Sequence, residues 1–81
     1  MKTELKIFGT NLKSVRTNSG ITQKEFAIFL GLTERSYQRY ENRDNTPPYE
    51  TLIKIADYIN VSIDYLLGRT DDPTFKPVKL K

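Results

Sequence analysis

The chain lacks two residue types that are common in catalytic and metal sites. Its 81 residues include no cysteine and no histidine. Without cysteine there is no disulfide framework and no thiolate metal site, and without histidine the commonest general base and metal ligand are missing. The serine, aspartate, glutamate and lysine residues show no spacing of a catalytic triad or a metal cluster. We therefore expect no enzyme activity, no cofactor and no metal.

Long apolar runs are also absent. No stretch approaches the roughly 20 apolar residues that span a membrane. The start, Met1-Lys2-Thr3-Glu4, is not followed by the apolar segment of a signal peptide. The sequence thus predicts a cytoplasmic protein with no membrane partner, and its length suits a single domain with one compact core.

Positive charge is in modest excess, and its distribution matters more than its sum. The net charge is +3 and the pI about 9.3, which permits binding to nucleic acid without demonstrating it. Between residues 21 and 45, four cations balance four anions. These are Lys24, Arg35, Arg39 and Arg43 against Glu25, Glu34, Glu41 and Asp44. Any affinity of this segment for DNA must therefore come from the direction in which its charges point.

Apolar residues at helical spacing predict a first helix from about residue 5 to Asn18. Ser19-Gly20 ends this helix. The apolar residues on its inner face are Leu5, Phe8, Leu12 and Val15.

Two short helices joined by a glycine turn are predicted next. Thr22 and Glu25 have the spacing of a capping box, so a second helix begins there and runs to about Leu30. Gly31 lies where a helix C-cap needs positive φ, and Thr33 caps a third helix. The helical phase places Tyr37, Tyr40 and Glu41 inward, and Arg35, Gln38, Arg39 and Asn42 outward, with Glu34 on the first turn.

The remaining sequence predicts two more helices and a tail. Pro47-Pro48 suit the start of a fourth helix, which Asn60 ends in the left-handed conformation. Ser62 caps a short fifth helix to Leu67, closed by Gly68. The prediction is an all-α, compact five-helix domain over residues 1–68 and a short extended C-terminal tail over residues 69–81.

In their order and spacing, these residues resemble the Xre/Cro-type helix-turn-helix family, the lambda-repressor-like DNA-binding domains. The resemblance extends from about residue 8 to residue 68, about three quarters of the chain. The matching residues are Gly9, Leu12, Arg16, Gly20, Thr22-Gln23, Phe26-Ala27, Leu30-Gly31, Thr33, Tyr37, Tyr40-Glu41, Pro47, Glu50-Thr51-Leu52, Ile55-Ala56, Val61-Ser62 and Leu66-Leu67-Gly68.

The resemblance implies that the third helix lies in the major groove of a double-stranded DNA operator. Arg35 and Arg39 are four residues apart and each offers a fork that fits guanine O6 and N7. Glu34 is suited to accept from a cytosine amino group, although an acid in the first turn is equally favoured by the helix dipole. Gln38, nearer the edge of this face, is expected to contact adenine or a phosphate. The expected base-contacting residues are thus these four.

The resemblance also implies backbone contacts and one structural ion pair. Gln23 is expected to bind a phosphate at the start of the second helix. Asn42 and Arg43 are expected to hold the other side of the groove. Glu41 points toward the core and needs a partner, and the family's matching pair implies a salt bridge with Arg16.

The family further implies two copies on DNA, because many members bind as dimers to half-sites roughly 34 Å apart. We therefore expect a homodimer at least when DNA-bound, with Tyr65 and the tail after Gly68 as candidate dimer surface. The expected role is that of a small Cro-like or prophage repressor.

Some positions depart from the family pattern. Arg43 replaces a glycine that is usual there, and Ile28 and Phe29 replace polar residues. Two adjacent exposed apolar residues, in a chain whose tail carries Phe75, indicate that the tail or a partner covers them. The alternative function is therefore an antitoxin-like or other protein-interaction module with the same fold, in which Ile28, Phe29 and Phe75 form the functional surface.

Overall fold

The computed structural model describes residues 2–42, 45–72 and 74, with side chains from Ile7 onward. Five α-helices and no strand occur within these residues. The helices are α1 (Lys2–Asn18), α2 (Gln23–Leu30), α3 (Glu34–Glu41), α4 (Tyr49–Ile59) and α5 (Ile63–Leu66). The predicted all-α, five-helix architecture is confirmed. No helix of this described part is both long and apolar enough to cross a membrane.

Two helix ends differ from the prediction. Helix α1 begins at Lys2 rather than near residue 5, because its polar first turn carries no apolar period that a sequence pattern can detect. Helix α5 ends at Leu66, and Leu67 is its C-cap. Such shifts of one residue are ordinary at frayed helix ends.

The caps around α2 and α3 fix the turn between them. The Thr22 hydroxyl accepts from the Glu25 N–H at 3.0 Å, and the Glu25 carboxylate accepts from the Thr22 N–H at 2.9 Å. Gly31 has φ 74° and donates its N–H to carbonyls of the last turn of α2. Thr33 then accepts from the Ser36 N–H at 3.1 Å. This geometry makes the connection to α3 short and defined, as the sequence predicted.

Every helix contributes to one core. The largest fully buried side chains are Phe8 and Leu12 of α1, Phe26 of α2, Tyr37 of α3, Ile55 of α4 and Leu66 of α5. Helix α3 packs against α1 and α2, which hold its inner side. Its outer residues Glu34, Arg35 and Arg39 are exposed among the described residues. The fold thereby presents one face of a short, firmly held helix.

The end of α5 is tied to α1. The Asn11 side-chain amide donates to the Tyr65 carbonyl at 2.9 Å. Gly68 has φ 78°, and a side chain there would collide with Ile7. These contacts hold α5 in place, and they leave Tyr65 half-buried against the core.

Candidate nucleic-acid interface

Helix α3 has two chemically distinct sides. Tyr37, Tyr40 and Glu41 are buried, whereas Arg35 and Arg39 are exposed. Phe26 of α2 stacks on the Tyr37 ring, with centroids 5.2 Å apart. Among the described residues, the buried side chains of α3 therefore lie on one side, and its charged outer side is exposed.

The outer side of α3 forms a shallow concavity. It is lined by Arg35, Gln38, Arg39 and Asn42. Glu34 is exposed on the first turn but does not line this concavity. Neither arginine forms an ion pair or a side-chain hydrogen bond with another described residue. This face of the helix carries two guanidinium groups and two amides, which match the acceptors and donors that base pairs show in the major groove.

Beneath this face, Arg16 and Glu41 form a buried salt bridge with two contacts. Arg16 Nε donates to Glu41 Oε2 at 2.5 Å and Nη2 donates to Oε1 at 3.1 Å. Arg16 Nη1 also donates to the Ile21 carbonyl at 2.7 Å. The pair therefore joins α1, the loop before α2 and the end of α3.

Glu41 has two further partners that the sequence pattern did not indicate. The Tyr37 hydroxyl donates to Oε2 at 2.5 Å, and Gln23 Nε2 donates to Oε1 at 3.0 Å. Tyr37 and Glu41 are four residues apart on one helix, so the spacing was a usable signal. The Gln23 contact joins different helices, and only the tertiary packing reveals it.

The electrostatics of this cluster favour the ionised carboxylate. Burial alone would raise the pKa of Glu41, but the hydrogen bonds from Arg16, Tyr37 and Gln23 outweigh it and lower that pKa below its ordinary value. Burial, reinforced by the hydrogen bond to Glu41, raises the pKa of Tyr37 well above its usual range. Within the described residues, every buried side-chain nitrogen and oxygen has a hydrogen-bond partner.

Gln23 connects the buried cluster to the outer face. Its Oε1 accepts from Gln38 Nε2 at 3.1 Å. Because the Glu41 carboxylate can only accept, the Gln23 amide must present its N–H₂ to Glu41 and its oxygen to Gln38. The side chain predicted to bind a phosphate thus bridges two protein groups, and each amide keeps one N–H for a ligand.

The other predicted surface residues are only partly described. Arg43 and Phe75 lie outside the described residues. Ile28 is 68% exposed and Phe29 is 48% exposed. Phe29 stacks on Tyr58 of α4 with centroids 4.0 Å apart and planes 10° apart. Tyr58 is a member of this exposed surface that the sequence pattern did not indicate.

A capped α2, a glycine turn and a third helix with a polar outer face form a helix-turn-helix unit. The chain belongs to the helix-turn-helix family HTH_3, whose model matches residues 12–66.

Two relatives in Bacillus subtilis (strain 168) illustrate the family. The chain is 39% identical over 71 residues to the uncharacterized HTH-type transcriptional regulator YqaE, covering 86% of this chain and 61% of YqaE. It is 41% identical over 64 residues to YonR, an uncharacterized SPbeta prophage-derived HTH-type transcriptional regulator, covering 79% of this chain and 59% of YonR. The matches thus span only about three fifths of the length of these relatives.

Among solved structures, the solution structure of the SOS-response transcriptional repressor LexA from Eubacterium rectale is similar in fold. Its TM-score is 0.77 at 23% identity, and the match covers 98% of this chain and 81% of that one. At this identity the similarity establishes the fold alone.

Proposed function

We propose that this protein is a sequence-specific DNA-binding transcriptional regulator, a cytoplasmic repressor of bacterial or phage type rather than an enzyme. The observation that carries the proposal is the shared outer face of α3, where Arg35, Gln38, Arg39 and Asn42 converge. The family membership and the names of the relatives support the same function.

In this proposal α3 lies in the major groove and its arginines read bases. Arg35 and Arg39 each donate two hydrogen bonds to a guanine. Gln38, held by Gln23, presents its carbonyl and its second N–H to an adenine. Glu34 on the exposed first turn accepts from a cytosine amino group.

Backbone contacts would position this face without specifying sequence. The Thr22 cap uses the Glu25 N–H, whereas the Gln23 and Lys24 N–H groups at the start of α2 have no partner among the described residues and suit a phosphate. Gln23 adds its remaining amide N–H there, and Asn42 and Arg43 act on the opposite side of the groove. This assignment keeps the structural role of Gln23, because one amide can serve both neighbours.

Two copies would act together on DNA. One domain contacts only a few base pairs, and each mismatched pair changes affinity by about 1–3 kcal/mol, too little to single out a site in a genome. A homodimer on half-sites about 34 Å apart doubles the contacted sequence. The partly exposed Tyr65 on α5 is the candidate dimer contact within the described residues.

Selection of binding sites from random double-stranded DNA tests the function directly. We expect the wild type to enrich one motif, and Arg39→Ala to lose preference at one defined position of it. The control is Lys54→Ala, which removes an exposed positive charge of α4 outside the α3 face and should keep the motif. Unchanged preference in Arg39→Ala would remove Arg39 from the base-contacting set.

A protein-interaction or antitoxin-like module is the second candidate. The exposed Ile28 and the exposed Phe29–Tyr58 stack favour it, since contiguous apolar surface often marks an interaction site. This candidate would replace the first if the wild type enriched no motif in the same selection.

A further inference from the structure

Three exposed side chains form an apolar surface where α2 meets α4, here named the α2–α4 patch. Ile28 and Phe29 of α2 are exposed, and Tyr58 of α4 is 40% exposed. The Phe29 and Tyr58 rings stack, and Tyr58 also meets the buried Phe26 ring edge-on with centroids 5.2 Å apart. Because these ring contacts already hold both aromatic side chains in place, a partner would have little to order on binding.

Charged residues of both signs flank the patch. Lys24 and Glu25 lie one turn before the patch residues of α2, and Lys54 and Asp57 lie beside the patch residue of α4. All four are exposed, and none forms an ion pair with another described residue. Two cations and two anions cancel, so two copies of this patch can meet without net repulsion.

This pattern of charge favours a second copy of the chain as the occupant. A two-fold axis can place α2 of one copy over α4 of the other, and Glu25 then meets Lys54 while Lys24 meets Asp57. Other partners lack this match. Nucleic acid brings only phosphates, and segment 75–81 of this chain brings three lysines and no acidic side chain.

The size of the patch sets the strength of such a contact. Its three side chains expose on the order of 300 Å², whereas a stable interface buries about 800 Å² on each partner. The contact is therefore too weak to hold two copies together in dilute solution. It becomes populated when a tether raises the effective concentration to the millimolar range. In the proposed function DNA is that tether, since α2 packs directly against α3.

We propose that the α2–α4 patch is a two-fold contact between molecules of this protein bound at neighbouring DNA sites. The inference rests on the proposed function. The contact is separate from the candidate dimer contact Tyr65, because the patch has no residue on α5. A chain with two different contacts to its own copies can join dimers in a row, so that binding at one site strengthens binding at the next.

Binding to duplexes that carry one or two copies of the selected site tests the proposal. We expect the wild type to bind two sites cooperatively, with a coupling factor of roughly 5- to 150-fold at favourable spacings. Ile28→Gln should abolish the coupling and leave the affinity for one site unchanged. Ile53→Gln is the matched control, because Ile53 is an exposed isoleucine on a different side of α4 from Tyr58. This control should keep the coupling.

Asp57→Lys tests the charge match. It places a lysine opposite Lys24 of the second copy, so the coupling should fall at low salt and recover as salt screens the two charges. A fall that does not depend on salt would overturn the two-fold arrangement.

The other possible occupants give different results. Phe75→Gln should keep the coupling, and its loss in that variant would overturn the inference by assigning the patch to segment 75–81. A purified wild type that binds one site specifically but shows no coupling at any spacing would also overturn the inference and leave the patch to another protein. An equal loss of coupling in Ile28→Gln and Ile53→Gln would overturn it as well.

Failure of the proposed function would be recognised separately. If the wild type enriched no site, the contact would be measured without DNA, by sedimentation equilibrium at about millimolar protein. Ile28→Gln should then reduce self-association and Ile53→Gln should not. Unchanged self-association in Ile28→Gln would overturn the inference too.

Discussion

Arg16 of α1 and Arg39 of α3 have the same side chain in opposite environments. Arg16 is 8% exposed and directs its guanidinium at Glu41 and at the Ile21 carbonyl. Arg39 is exposed and has no ion pair with the described residues. The difference teaches that in this domain the type of charged residue alone does not identify the proposed DNA contacts. What separates a structural arginine from a binding one is whether the fold already uses its donors.

Among the substitutions that test this comparison, Arg16→Ala should have the largest effect on stability. Removing one partner of a buried pair leaves an uncompensated charge, here Glu41, and costs about 3–5 kcal/mol of the free energy of unfolding. Urea denaturation would measure it. Arg69→Ala, which breaks an exposed pair with Asp64, should cost less than about 1 kcal/mol. Equal losses in the two variants would mean that the Arg16–Glu41 pair does not hold the helices together.

Acid should weaken the same cluster. The pKa of Glu41 is lowered in the folded protein, so its stabilising contribution is complete above the unfolded value of about 4.3 and is lost as pH falls through the lower folded value. The stability difference between wild type and Glu41→Gln should therefore shrink as pH falls below about 4.3. Thermal unfolding of both proteins across this range tests it. A difference that stays constant down to strongly acidic pH would contradict the lowered pKa.

Gln23→Ala tests the link between the two sides of α3. Glu41 keeps Arg16 and Tyr37, so we expect a loss of only about 1–2 kcal/mol in stability. Gln38 loses its anchor, and the base preference at its position should weaken in site selection.

Gln23→Glu is the informative companion variant. It places a second carboxylate beside Glu41 and should be more destabilising than Gln23→Ala at neutral pH. The opposite order of stabilities would show that Gln23 does not contact Glu41.

Arg39→Ala has the smallest expected effect on folding. Because Arg39 is exposed and has no partner among the described residues, its loss should change the free energy of unfolding by no more than about 0.5 kcal/mol, while its site preference falls by about 1–3 kcal/mol. Denaturation and binding measurements on one sample would separate the effect on stability from the effect on site preference. A clear loss of stability would show that Arg39, like Arg16, has a structural role.

The fold was predictable because its signals are local. The Thr22–Glu25 capping box, Gly31 with positive φ and the Thr33 cap each occupy a few neighbouring residues. The inner and outer sides of α3 follow from helical phase alone. The first turn of α1 escaped prediction because its polar residues carry no period.

The details of the site were less predictable because they depend on contacts between helices. The position of Gln23 between Glu41 and Gln38 requires α2 and α3 to pack at one angle, which no spacing encodes. The stack of Phe29 on Tyr58 joins residues that are 29 apart in sequence.

The hydrogen bonds that run from Gln38 through Gln23 to Glu41 have a consequence for how the proposed DNA-reading face can change during evolution. Residue 38 is not free to change alone, because a new side chain there must still match the oxygen that Gln23 presents. Arg35 and Arg39 have no such hydrogen-bond partner among the described residues. Natural drift or laboratory retargeting toward a new operator should therefore proceed through positions 35 and 39 first, and through 38 only when 23 changes with it.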